Sequence, residues 1–301
     1  MAQPPPSPVP SRKAVLSYTA IITALLVGFW TRYSPGLGHS EHDLFKSFRA
    51  NEYQCQAQGY TTEIISTDPL LILLEDFVSG EEARGIIETG EADLKTSGIQ
   101  RPGSPYSTVT KDRTSSTFHL LFTTSESAPL PLTSPHLTCL LSRARDFMGP
   151  SLLSPHEDFG TPQLVRYAPG EHFDEHYDWY ENLQPVPGRR GMWFNRVASF
   201  FVYLDDDSER EGGETWFPRI EVEDASHDEG EDGEGKGKGK WKRHEEGGVM
   251  FTPKRGRALF WVNLMANGTG DRRVIHAGLP LTRGVKSACN IWPRRFYVGG
   301  R

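Results

Sequence analysis

Residues 167–180 read YAPGEHFDEHYDWY, and the placing of this stretch decides how the rest of the chain is read. Its two imidazoles and two of its carboxylates, His172, Asp174, His176 and Asp178, stand at every second position. Successive side chains of an extended strand alternate faces, so all four are expected on one face. A His and an Asp two residues apart then reach one metal ion from the same side. A second His brought in by folding completes the facial triad of two His and one carboxylate that holds non-haem Fe(II) and leaves positions open. Spacing alone does not select the pair, because His156-Glu157-Asp158 and His172-Phe173-Asp174 repeat it.

Around this stretch the chain has the texture of a mostly β fold with flanking helices. From Pro162 onward short strands alternate with turn signals, as in an all-β sandwich or jelly roll. QLVRY leads into the His-rich stretch, VASFFVYL (197–204) is a buried strand, and GGETWFP (212–218) is a tight turn followed by a strand. GGVMFTPKRGRALFWVNL and VIHAGLPLTRGVKSACNIW continue the pattern. Upstream, LLILLEDF (70–77) has the length of a strand. Ser79 and Glu82 have capping-box spacing for a helix, and Ser134 to Met148 reads as a second helix ending at Gly149. Arg113-Thr114-Ser115 opens a strand-like run.

The chain has 301 residues, enough for one large domain with appendages or two small ones. A net charge of −6 argues against general nucleic-acid binding, which favours basic surfaces. Cys55, Cys139 and Cys289 show no CxxC spacing, which disfavours a thiolate zinc site; in an oxidising compartment one pair could bridge, leaving one thiol. Residues 1–13 are Pro-rich and read as a disordered tail. Ala14 to Trp30 carries no charge over 17 residues, about 26 Å as a helix, close to the roughly 27 Å core of the endoplasmic reticulum bilayer. Arg12 and Lys13 precede it, so the expected topology is a single-pass signal anchor with a cytosolic N-terminus and a luminal domain. A cleaved signal peptide is the competing reading, although no small-residue cleavage site follows. Residues 31–68 read as a stem and 69–299 as the folded domain, with a β core at 162–294. Residues 221–247, acidic and then alternating Gly and Lys, read as a low-complexity insert unable to form a core.

His276 and Lys286 stand ten residues apart across a turn containing Pro280 and Gly284, which is expected to leave the flanking strands as neighbours. Together with the YxPG lead-in at Tyr167 to Gly170, His176-Tyr177-Asp178 six residues past Gly170, GGETWFP, RALFW and Trp292, this order resembles the prolyl 4-hydroxylase alpha-subunit-like family of Fe(II)/2-oxoglutarate dioxygenases. The resemblance runs from about Pro69 to Trp292 and implies a double-stranded β-helix with helices from the N-terminal half. It implies His176, Asp178 and His276 as iron ligands, Lys286 as partner of the distal carboxylate of 2-oxoglutarate, and Tyr167 as a further contact to that cosubstrate. Under the same resemblance His172 and Asp174 stand at the rim. O₂ is the second cosubstrate, L-ascorbate the reductant, and a Pro-containing peptide the substrate. The lysine favours prolyl over lysyl hydroxylation, since a resemblance to lysyl hydroxylases would imply Arg there. Two rival readings are a catalytically silent luminal peptide-binding module and a hydroxylase of a small molecule or free amino acid. The four site residues weigh against the first and do not bear on the second. The sequence names neither the oligomeric state nor any partner subunit. Asn267-Gly268-Thr269 is a glycosylation sequon, and its nearness to the His276 strand leaves its accessibility open.

Overall fold

A computed structural model describes residues 53–96, 125–222 and 239–299. The tail 1–13, the expected span 14–30, stem residues 31–52, the segment at Arg113–Ser115 and residues 223–238 of the insert lie outside the described residues. Among the described residues no helix is long and apolar enough to cross a membrane.

The first elements are β1 (Thr61–Thr67), β2 (Leu70–Glu75), α1 (Gly80–Glu91), the short β3 (Lys95–Thr96) and β4 (Glu126–Pro129), and α2 (Pro135–Leu152). The core strands are β5 (Gln163–Tyr167), β6 (Phe173–His176), β9 (Ala198–Tyr203), β11 (Thr215–Phe217), β13 (Val249–Phe251), β14 (Ala258–Val262), β15 (His276–Gly278) and β17 (Lys286–Ile291). Among and after them lie β7 (Gln184–Pro185), β8 (Met192–Arg196), β10 (Glu211–Gly212), β12 (Trp241–Arg243), β16 (Leu281–Arg283) and β18 (Arg294–Val298).

The larger sheet runs β1-β2-β14-β9-β17-β5-β4-β3 and the smaller β12-β13-β11-β15-β6. Counted along the chain, the core strands lie in the larger sheet as sixth, third, eighth and first, and in the smaller as fifth, fourth, seventh and second. The pairings are antiparallel. This is the order of a jelly roll, the double-stranded β-helix expected from the sequence.

Alternation along β9 (ASFFVY) shows how the core is divided. Phe200 faces the helices, touching Phe77 and Phe147 at ring distances of 5.7 and 5.8 Å. Ser199 and Tyr203, of opposite parity, face the other way, toward Asp178 and Thr215. In β14, Phe260 likewise meets Phe147 at 5.0 Å, while Trp261 meets Phe217 of the smaller sheet at 5.2 Å. The helices therefore cover one face of the larger sheet, and the site lies on its other face. Ser79 and Glu82 form the expected capping box at the start of α1. Glu82 also takes a buried bridge from Arg143 of α2 at 2.7 Å, which locks the two helices together.

Three sequence expectations need correction. The stem does not extend to residue 68: β1 pairs with β2 ahead of Pro69, and Cys55 is bridged to Cys139 in α2 with a Cα–Cα distance of 5.3 Å. TTEIIST was missed because it is mostly exposed and carries no apolar run. The insert does not extend to residue 247 either. Trp241–Arg243 pairs with β13, and the Trp241 indole is buried and donates to Glu63 Oε1 at 2.9 Å. The strands flanking the Pro280–Gly284 turn are not neighbours. β15 pairs with β11 and β6, whereas β17 pairs with β5 and β9, because the intervening chain crosses between sheets and forms β16 against β10 on the way.

Candidate metal centre and cosubstrate pocket

The expected one-faced row of four groups in the His-rich stretch is broken by a bulge. His276 pairs with His176, but Gly278 pairs with Phe173, so β6 spends one residue more than β15 over the same span. A bulge interrupts the period-2 alternation. Phe173 and His176 consequently come together, their rings stacked at 3.7 Å. His172 and Asp174 form their own half-exposed pair, Nε2 to Oδ1 3.3 Å, outside the cluster. The third His-x-Asp is also accounted for: His156 is exposed and Asp158 makes a two-pronged bridge to Arg294.

What remains is one convergent group. The register sets the His176 and His276 rings across from each other at 4.3 Å, and Asp178 follows two residues later. One ligand atom from each of His176, Asp178 and His276 lies within 4.8 Å of the others. Their exposures are only 8, 4 and 5%. Each imidazole has Nδ1 on a backbone carbonyl, Asp174 O at 2.8 Å and Val274 O at 3.1 Å. These bonds hold the proton on Nδ1 and leave the Nε2 lone pairs for a metal. The Nε2 atoms are 4.0 and 3.8 Å from the Asp178 oxygens.

Burial, with His276 alongside, holds His176 well below the ordinary imidazole value, so its lone pair is free at neutral pH. Burial pushes the Asp178 carboxyl up, but His276, His176, Arg196 and the Ser199 hydroxyl together outweigh it and hold it below the usual carboxylate range. A buried carboxylate between two imidazoles is costly alone and favourable around a cation. The donor set of two imidazole nitrogens and one carboxylate oxygen suits Fe(II).

Two residues the sequence reading passed over support Asp178. Ser199 Oγ donates to Asp178 Oδ2 at 2.6 Å, and Asn263 Nδ2 donates to Ser199 Oγ at 2.8 Å. Ser199 had a visible signal, being the single polar residue in the apolar run VASFFVYL. Arg196 Nη1 donates to the Asp178 carbonyl at 3.2 Å and its guanidinium lies 3.8 Å over the Trp292 ring.

Lys286 and Tyr167 are paired directly across β17 and β5. Lys286 is only 1% exposed, and its Nζ faces the rings of Tyr167, Phe201 and Tyr203 at 4.8, 5.2 and 5.9 Å. Burial above all, and then the charge of Arg210, pulls its pKa down to about 7, although Glu214 and Asp205 act in the opposite sense. Gly213 lets the lysine stem pass: a Cβ there would stand 3.3 Å from Lys286 Cδ and 3.0 Å from Leu281 Cδ1. Beneath the lysine, Asp205 accepts from Arg210 and from the Ser287 N–H, which fixes the start of β17. The Tyr167 hydroxyl bonds the Ser125 side chain, and burial pushes its pKa upward, so it stays a neutral donor. A buried ammonium ringed by aromatic faces fits the carboxylate of an oxo acid. Cys289 takes no part, since it is fully buried and burial pushes its thiol pKa up.

A family profile described as the 2OG-Fe(II) oxygenase superfamily matches residues 162–294, the span of the β core. The chain is 28% identical over 233 residues to probable prolyl 4-hydroxylase 9 of Arabidopsis thaliana, covering 77% of this chain and 71% of that protein. It is 24% identical over 294 residues to prolyl 4-hydroxylase 13 of the same plant, covering 94% and 96%. Among solved structures, it is similar to the viral collagen prolyl hydroxylase of Paramecium Bursaria Chlorella virus-1 in its 2OG complex. There the TM-score is 0.47 at 19% identity, over 80% of this chain and 99% of that one. The protein is a 2-oxoglutarate-dependent dioxygenase that uses Fe(II). The β core thus matches the 2OG-Fe(II) oxygenase superfamily, and the chain is similar to prolyl 4-hydroxylases over most of its length.

Proposed function

We propose that the enzyme hydroxylates prolyl residues of an extended peptide, with His176, Asp178 and His276 holding Fe(II) and with Lys286 and Tyr167 holding 2-oxoglutarate. The observation that carries this reading is the convergence of three buried ligands and one buried lysine inside a single jelly roll. Bound iron and 2-oxoglutarate supply O₂-dependent hydroxylation coupled to release of succinate and CO₂, with L-ascorbate as reductant in enzymes of this family. The chain's own residues do the rest. The Nδ1 bonds of His176 and His276 fix both rings, and Ser199 orients the Asp178 carboxylate. Lys286 binds the distal carboxylate by a charge-assisted bond, roughly twice as strong as a neutral one, while Phe201 and Tyr203 keep water from it. Tyr167 offers its hydroxyl to the same ligand.

Behind the centre, the Trp292 ring lies under Arg196, which donates to the Asp178 carbonyl and so steadies the backbone at this ligand. The Cys55–Cys139 bridge supports an oxidising compartment. With the uncharged run Ala14 to Trp30 it supports anchoring in the endoplasmic reticulum membrane with the domain luminal. The test is succinate release across a panel of Pro-containing peptides, free proline and free lysine. Turnover with extended prolyl peptides and mass gain on proline is expected; turnover with the free amino acids alone would contradict it.

A further inference from the structure

Asn267-Gly268-Thr269 is the one Asn-x-Ser/Thr sequon in the chain. The fold brings it into solvent: Asn267 and Thr269 are both exposed, on the loop between β14 and β15. The His276 strand does not shield it. A tight turn presents it, closed by Met265 N–H to the Thr269 carbonyl at 2.8 Å and Gly268 N–H to the Met265 carbonyl at 2.9 Å. Within the turn Asn267 Oδ1 accepts from the Thr269 N–H at 3.0 Å and from Thr269 Oγ1 at 2.7 Å. The amide oxygen is thus engaged by the sequon hydroxyl, and among the described residues none bonds Nδ2. The Cys55–Cys139 disulfide independently marks a chain that folds in an oxidising compartment.

We propose that Asn267 is an N-glycosylation site, occupied by an oligosaccharide delivered from a lipid-linked diphosphate donor. In the transfer, Nδ2 gives up one proton and bonds to the anomeric carbon of the sugar. The bond from that carbon to the diphosphate oxygen breaks, and the lipid diphosphate leaves with the electron pair and takes up the proton. The loop suits this load because its two feet are fixed. Asn263 bonds Ser199 beneath Asp178, and Gly270 lies so close to Trp179 that a Cβ would come within 2.1 Å of the indole. A sugar on the tip leaves these feet, and the metal ligands they brace, undisturbed.

Native glycosylation rests on the luminal reading above, and the experiment separates the two. The full chain is expressed in a eukaryotic cell, both as it is and with a secretory signal fused to its N-terminus. Each form is treated with an endoglycosidase and its Asn267 peptide is weighed. The fused form is expected to lose mass on digestion, and Asn267→Gln and Thr269→Ala abolish that shift while Thr269→Ser keeps it. Iron content and succinate release of Asn267→Gln are expected to equal those of the parent. An undigestible fused form recovered from the secretory pathway overturns the site. A shift in the fused form alone upholds the site and overturns the luminal reading of the native chain.

Discussion

Lys286 offers a prediction whose size follows from its surroundings. It is 1% exposed, faced by three aromatic rings, and held to a pKa of about 7 by burial first and by Arg210 second. In the role proposed for Lys286, the carboxylate of 2-oxoglutarate pairs with the ammonium only when the proton is present, and pairing would raise the lysine pKa. The sign follows directly. Below about pH 7 the free enzyme already carries the charge and affinity is flat. Above it, each binding event takes up a proton, so affinity falls toward tenfold per pH unit. Between pH 7 and pH 9 the dissociation constant should rise by about fifty-fold. Lys286→Ala removes one partner of a buried charge pair, which typically costs about 3–5 kcal/mol, or on the order of 10²–10³-fold or more in affinity, and should abolish the pH slope. Lys286→Arg keeps its charge throughout this range, so it binds less tightly than the parent but without the slope. The assay is titration calorimetry of 2-oxoglutarate into iron-saturated enzyme without O₂. An affinity independent of pH in the parent, or an undiminished slope in Lys286→Arg, would refute the reasoning.

Three further outcomes follow from the packing. Replacing Cys55 and Cys139 by Ser opens a bridge between residues 84 apart, which the loop-entropy relation puts at about 4.5 kcal/mol; denaturant unfolding with an unchanged midpoint would mean the bridge does not constrain the chain. Trp241→Ala should destabilise by about 3 kcal/mol, because the indole is buried and bonded to Glu63; a loss below about 1 kcal/mol would return this residue to the surface insert. Ser199→Ala removes the hydroxyl on Asp178 Oδ2 and should weaken iron binding about 10- to 100-fold, read by competition with a chelator; equal affinity would make Ser199 a packing residue only.

The parts of the fold that were legible in the sequence depend on local rules. The Ser79–Glu82 cap is set within four residues, and the buried strands at 70–75, 198–203 and 258–262 show as apolar runs. The candidate metal pair was legible as a spacing, but only its match to Gly170 and Tyr167 separated His176-Asp178 from His172-Asp174. Strand alternation would have grouped all four, and the bulge in β6, invisible to any periodicity, separates them. The pairing of β15 and β17 was misjudged because a turn signal does not say whether the chain returns to its own sheet or crosses to the other. β1 and β12 were missed because their stability comes from contacts distant in sequence, the Cys55 bridge near one and the Trp241–Glu63 bond in the other. The mutual support of Asp178, Ser199 and Asn263 spans β9 and the end of β14, so only the odd polar residue in a buried strand hinted at it.

The central claim is that His176, Asp178 and His276, and no other His-x-Asp pair, hold the iron. The most direct measurement is iron content by mass spectrometry, with succinate release from 2-oxoglutarate, for the parent, His176→Ala, His276→Ala, Asp178→Ala and His172→Ala, each checked for folding by circular dichroism. The first three variants should be folded and lose both iron and turnover, and His172→Ala should keep both, since its side chain pairs with Asp174 outside the cluster. Loss of iron in His172→Ala with retention in His176→Ala would contradict the account.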